Sequence, residues 1–202
     1  MDRKEFLARA TQLGVGCCAV SLFGDRAEAG AQATQAVPTP AGPPVTPDKR
    51  KVEWAKVWTK RFFDVLDQEL DEPTRRRIME RTGTLCHEGS MKGAKPPTVG
   101  VERMVKAIAE HNGPDSVSRD GNVIHFNYVK NSAGLRVADG YCLCPLVEDG
   151  PADLSPTFCH CSVGYVRHMF ETALGRKTKV DLLESVRRRG KTCRFRIELL
   201  EA

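Results

Sequence analysis

Eight cysteines are spread unevenly over 202 residues, and four of them form two tight pairs, Cys142-Leu143-Cys144-Pro145 and Phe158-Cys159-His160-Cys161. The result is a C-x-C…C-x-C pattern. Residues two apart on an extended chain point to the same side, so Cys142 and Cys144 converge if the chain bends near Pro145. Cys159 and Cys161 then supply two further thiols. Zinc takes four sulfurs at about 2.3 Å in a tetrahedron, and thiolate donors select soft or borderline ions over magnesium or calcium. The commoner metal spacing is C-x-x-C, where a tight turn presents two sulfurs to one ion, so the single-residue spacing leaves other uses of the thiols open. In an oxidising compartment the same residues form disulfides or act as redox-active thiols. Cysteine also serves as a small buried hydrophobe.

A second tier of candidates lies outside the pairs. Cys86 falls on the apolar face of a predicted helix, where core packing is the ordinary reading, and His87 beside it keeps ligation open. His160 sits between the thiols of the second pair. Cys193 shares a strand face with Phe195, Ile197 and Leu199, which reads as core. Glu184 follows Leu182 and Leu183 in an apolar strand; facing inward it needs a cation or hydrogen-bond donors, and facing outward it is an ordinary solvated carboxylate.

The elements that must position these residues are helical first and β later. From Asp48 to Leu70, Ala55, Trp58, Phe62, Val65 and Leu66 recur at spacings of three and four, which predicts an amphipathic helix with Trp58 and Phe62 in the core. A second helix starts near Asp71, with Pro73 in its first turn, and runs to about Gly89 with Ile78, Met79, Thr82, Leu85 and Cys86 on its apolar face. A third spans Val99 to His111 and ends at Asn112-Gly113-Pro114. The period then becomes two: Asn122 to Val129 sets Val123, His125, Asn127 and Val129 against Ile124, Phe126 and Tyr128. Tyr141 to Val147 is a further strand candidate. Phe158 to Gly175 is helical again, closing on Gly175 as a C-cap. Lys179 to Val186 and Thr192 to Leu199 form a hairpin across the solvated basic turn Arg187-Arg188-Arg189-Gly190-Lys191.

The fold class is therefore α+β, with N-terminal helices packed on an antiparallel sheet of about four to five strands and a helix and β-hairpin at the C-terminal end. Residues 1–29 read as an export signal: Asp2-Arg3-Lys4-Glu5-Phe6-Leu7 precedes a Gly- and Ala-rich stretch, and Ala27-Glu28-Ala29 offers small residues for a peptidase. The arrangement is similar to twin-arginine signals, with Lys4 in place of the second arginine. Cys17 admits a lipoprotein reading, although the leucine expected three residues before it is absent. Residues 30–47 form a linker of Ala, Gly, Thr, Gln and five prolines, and residues 48–202 a single domain. The expected location is the periplasm or beyond. After signal removal no stretch approaches the roughly 18 apolar residues of a membrane span. A net charge of +5 is too small for a dedicated nucleic-acid binder, and the sequence leaves the oligomeric state open.

The C-terminal motifs Cys159-His160-Cys161-Ser162-Val163-Gly164-Tyr165, Ala173-Leu174-Gly175-Arg176, Leu183-Glu184-Ser185 and Gly190-Lys191-Thr192-Cys193-Arg194-Phe195 resemble the small ligand-binding domain of 4-vinyl reductases and the related L-2-amino-thiazoline-4-carboxylic acid hydrolase-like family. The likeness covers about the last 60 residues. It implies a small-molecule ligand and, by the zinc site of phenol-sensing members, ligand roles for Cys159, Glu184 and Cys193. That family's intermediate cysteine falls near Val186 or Arg187 and is missing here; Cys144, Cys142 or Cys161 are the available replacements.

The expectation is an exported metal-binding domain, with zinc on Cys142, Cys144, Cys159 and Cys161, or a small-molecule-binding domain. The alternatives are a hydrolase of a small C–N or thiazoline-type substrate, with Cys159 or Cys144 as nucleophile and His160 or Glu184 moving the proton, and a periplasmic thiol-redox protein.

Overall fold

The computed structural model describes residues 49–129, 136–144 and 153–201. The expected signal, the linker, Cys17 and residues 145–147 lie outside the described residues. Three helices come first: α1 (Lys49–Glu69), α2 (Glu72–Ser90) and α3 (Val101–Asn112). A hairpin of β1 (Val117–Asp120) and β2 (Val123–Asn127) follows, then α4 (His160–Leu174) and a second hairpin of β3 (Thr178–Glu184) and β4 (Arg194–Leu199). The protein is α+β, and its antiparallel sheet has the order β1-β2-β4-β3.

The local chemistry explains the boundaries. Asp71 is extended and its carboxylate accepts the Thr74 N–H at 2.7 Å, capping α2 with Pro73 in the first turn. Hydrogen bonds from Thr74 hold the Asp71 carboxyl below its ordinary pKa. Gly175 ends α4 in the left-handed region at φ 64°, where an L side chain is strained.

In the sheet, Ile124 faces Ile197 and Phe126 faces Phe195, while Val180 and Leu182 pair with the same two β4 residues from the other side. These rows form one continuous apolar face. α4 lies on it, with Phe170 set against Phe126 at a ring distance of 5.9 Å. Met104 and Ile108 of α3 join the same core. On the outer face, Arg196 bonds Glu198 at 2.8 Å and approaches Asp181 at 3.6 Å. A sheet with one dry and one charged face is the physical cause of the clean alternation in β2 and β4.

α2 packs on the side of α4 away from the sheet, and here the backbones touch. A Cβ on Gly164 would lie 1.7 Å from the Glu80 carbonyl oxygen, and one on Gly83 1.8 Å from the Cys161 carbonyl oxygen. The helices run in the same direction, so Gly83 meets the turn around Gly164 and His87, one turn on, meets His168.

Three expectations are corrected. Trp58 and Phe62 are exposed, and the buried residue of α1 is Phe63, which meets Phe158 edge-on at 5.3 Å. The reason is that α1 carries two apolar stripes, and the short-range pattern does not say which one the domain covers. In α2 the inward residues are Met79, Gly83 and His87, whereas Ile78, Thr82, Leu85 and Cys86 face outward, because the glycine contact turns the helix by its smallest side. Tyr141 to Cys144 carries no strand. β1 was not foreseen: only Val117 of its four residues is buried, as suits an edge strand.

Replacing Gly164 or Gly83 by alanine is expected to destabilise the domain by roughly 3 kcal/mol or more, since backbone cannot yield as a flexible side chain can. Gly89→Ala is the control. Nothing lies within 4 Å of its added methyl, so that change should be neutral or stabilising by up to about 1 kcal/mol. Urea unfolding of the three variants checks the contrast.

Candidate thiol site

Six cysteines lie within the described residues, and none of them is in a disulfide. Cys159 ends the 3-10 turn Pro156–Cys159, and Cys161 occupies the first turn of α4. Cys193 directly precedes β4 and packs against the main core, as its strand face predicted. Cys142 and Cys144 sit on the irregular segment 138–144, which is tied to the β3–β4 turn by the Gly140 N–H donating to the Lys191 carbonyl at 2.7 Å. A second tie comes from Arg187, whose guanidinium donates to the Leu154 carbonyl at 3.0 Å. These bonds draw three distant stretches of chain to one end of α4.

Cys142 lies close enough to Cys159, Cys161 and Cys193 for a charge on one thiol to oppose ionisation of another. Cys144, together with Cys161, packs against the small cluster of Phe63, Met79, Leu154 and Phe158. Burial pushes the Cys161 and Cys193 thiols up to about 12. It also raises Cys159, an effect partly offset by the Ser185 hydroxyl. These thiols are protonated at neutral pH. Among the described residues, no three histidine, cysteine or carboxylate side chains stand together at metal-ligating geometry.

The second-tier residues have other partners. His160 is buried, and its Nε2 accepts from the Arg188 guanidinium at 3.0 Å, which places its proton on Nδ1. Burial first, then Arg188 and Arg76, lower its pKa, so the ring is neutral with its lone pair engaged. Glu184 accepts from the Lys191 N–H at 2.6 Å and approaches Arg194 at 3.4 Å, closing the β3–β4 turn from its exposed side. Those donors hold its carboxyl below the usual range. Cys86 is an exposed residue, although surrounding atoms shield its sulfur enough to push the thiol up.

His87 was a candidate without a partner in sight, and the structure supplies one. Its Nδ1 lies 2.8 Å from Nδ1 of His168, and its ring meets Tyr165 edge-on at 4.9 Å. His168 in turn approaches Glu88 at 3.7 Å. Neither His168 nor Arg188 was singled out by spacing. The available signal was a repeated register: Gly83 precedes His87 by four residues as Gly164 precedes His168. Burial, and the neighbouring His168, press the His87 pKa down to about 4.

A histidine kept neutral in the fold but free to charge in the unfolded chain supports stability fully above about pH 6.5. That support falls as pH drops toward 4, because the unfolded chain then binds the extra proton. The predicted loss is roughly 3 kcal/mol over this window. Comparing urea midpoints of the natural protein and His87→Phe between pH 7 and pH 4 tests it: the variant should lose the acid-side slope, and an unchanged slope would place the sensitivity elsewhere.

No curated protein matches the sequence. Among solved structures, a trafficking protein particle complex subunit 3 from Naegleria fowleri, covalently bound to palmitic acid, aligns with a TM-score of 0.44 and 10% identity, over 76% of this chain and 98% of that chain. Among the described residues, no helix is long and apolar enough to cross a membrane. Residues 45–202 match the model of a family of unknown function (DUF6144), and the chain belongs to that family.

Proposed function

We propose that the protein is an exported binding domain whose thiols at the start of α4 take a soft metal ion, zinc in the first instance, or a small thiophilic ligand. The observation that supports this reading is the gathering of Cys142, Cys159 and Cys193, with Cys161 beside them, from three separate stretches of chain. Sulfur donors suit zinc, copper(I) or similar ions and reject magnesium and calcium.

The thiols are not preset at bonding distance, so the site is one that closes on its ion. Segment 136–144 is the part that must move. Among the described residues its backbone bonds to neighbouring stretches run from Val137 to Val129 and from Gly140 to Lys191, whereas Cys159 ends the 3-10 turn before α4 and Cys161 lies in the first turn of α4. Thiols bind metals as thiolates, so uptake releases protons and strengthens as pH rises. The proposed set takes Cys142, Cys159 and Cys161 from the two pairs and draws in Cys193, while Cys144 shares the small apolar cluster with Cys161.

A second reading is dithiol–disulfide exchange between Cys142 and Cys159, favoured by their proximity and by an oxidising compartment. The hydrolase reading draws less support. The lone pair of His160 is engaged by Arg188 and the Cys159 thiol is raised, which leaves a poor nucleophile beside an occupied base.

Anaerobic titration of the reduced protein with cobalt(II) tests the first reading. Thiolate-to-cobalt charge-transfer absorption is expected to appear, to be displaced by zinc, and to be lost or greatly weakened in Cys142→Ser, Cys159→Ser and Cys193→Ser. Absence of absorption, or binding indifferent to Cys142→Ser and Cys159→Ser, would remove the metal reading. A reversible mass change of two protons that requires both Cys142 and Cys159 would establish the redox one.

A further inference from the structure

α1 carries an apolar stripe that no other described element covers. Trp54, Trp58, Phe62 and Val65 follow one another at spacings of four, four and three, on the side of the helix away from Phe63. They are 66%, 53%, 43% and 53% exposed. Trp58 and Phe62 lie nearly parallel, 5.5 Å apart at 5°, and form a flat aromatic plate. Scattered exposed apolar residues are normal, but a contiguous aromatic row along a helix marks an interaction surface.

The charges on α1 narrow the choice of partner. Its first turn holds Lys49, Arg50 and Lys51 and no acid, and its last holds Asp67 and Glu69 and no base. Both ends oppose the helix's own dipole, which favours acids at the start and bases at the end. An antiparallel second copy of α1 sets each basic end beside an acidic one and corrects both. A parallel copy would set like against like.

We propose that α1 is the self-association surface of this protein, two copies pairing stripe to stripe in antiparallel fashion. A two-fold axis near Lys60 places Trp58 against the partner's Phe62 and Lys51 beside the partner's Glu69. Lys51 and Glu69 lie five full turns apart on a 3.6-residue helix, so they share one line, which runs within the stripe between Trp58 and Phe62 and continues it at either end. The exposed side chains amount to roughly 500 Å² per protomer by the usual size of these residues. Doubling gives about 1,000 Å², the threshold for a specific association. Residues 30–47, nearest in sequence, contain only Val37 and Val45 as larger aliphatic side chains and offer no aromatic to fill the stripe. The acidic end of α1 disfavours an anionic lipid surface.

The full chain, kept reduced so that no disulfide links copies, tests this by sedimentation at micromolar concentration. The expected mass is twice that of the 22.3 kDa chain, or of its processed form. Trp54 and Trp58 are the only tryptophans, so emission reports on this face alone. Dilution should lower the mass and shift the emission to the red together. Phe62→Glu should give a monomer with unchanged far-ultraviolet dichroism. Lys51→Glu and Glu69→Lys should each weaken pairing several-fold, and the two combined should restore it. A monomer at all concentrations, a dimer indifferent to Phe62→Glu, a blue shift seen only with anionic vesicles, or a charge exchange that fails to restore pairing would each overturn the proposal.

Discussion

The contact between α2 and α4 is the constraint on which the other arrangements depend. With glycine at 83 and 164 the two backbones meet directly, and every side chain nearby is placed by that approach. Glu80, opposite Gly164, is brought between Arg76 at 2.7 Å and Arg167 at 2.6 Å, so its carboxylate is satisfied from both helices. One turn beyond the glycines the same approach presses His87 onto His168. α4 is thereby enclosed by the sheet on one side and α2 on the other. This accounts for its burial of Val163, Tyr165, Val166, Met169, Phe170 and Ala173 around most of its circumference.

A helix so held makes a rigid base for the thiols at its start. Cys159 and Cys161 cannot drift, because the turn before them is fixed through Phe158 in the small apolar cluster and the helix after them through the glycine contact. The same enclosure raises their pKa values, since a thiolate loses more solvation there than a thiol. Position and protonation therefore share one cause. Packing that fixes the sulfurs also keeps them neutral.

Much of this fold is legible in the chain, and the legible parts share a feature. Where one face of an element is dry and the other wet, as in β2, β4 and α3, the period shows directly. Caps were equally readable at Asp71 and Gly175, because they act through local geometry. α1 was misread because Trp58 and Phe63 belong to two stripes of similar apolar character, and only the position of Phe158, some 95 residues away in sequence, decides between them. Gly83 was overlooked for the same reason: a glycine's contribution is the closeness it permits to another element. At the thiols, the i, i+2 argument for Cys142 and Cys144 requires a strand, and segment 141–144 is irregular, so that spacing alone does not say where either sulfur lies.

α1 is attached to this frame differently from the other helices. Among its inward anchors are the Phe63 ring against Phe158 and the Asp67 carboxylate, which accepts from the Thr157 hydroxyl at 2.7 Å. Arg75 adds a third tie by donating to the Asp67 and Leu70 carbonyls at 2.7 and 2.8 Å, satisfying acceptors that a helix end leaves open. Two of these three anchors land on Thr157 and Phe158, the residues immediately before Cys159. A rigid helix seated on the turn that delivers a thiol transmits its own position to that thiol. The placement of α1 and the geometry of the thiols are therefore one mechanical problem, solved at the 3-10 turn between them.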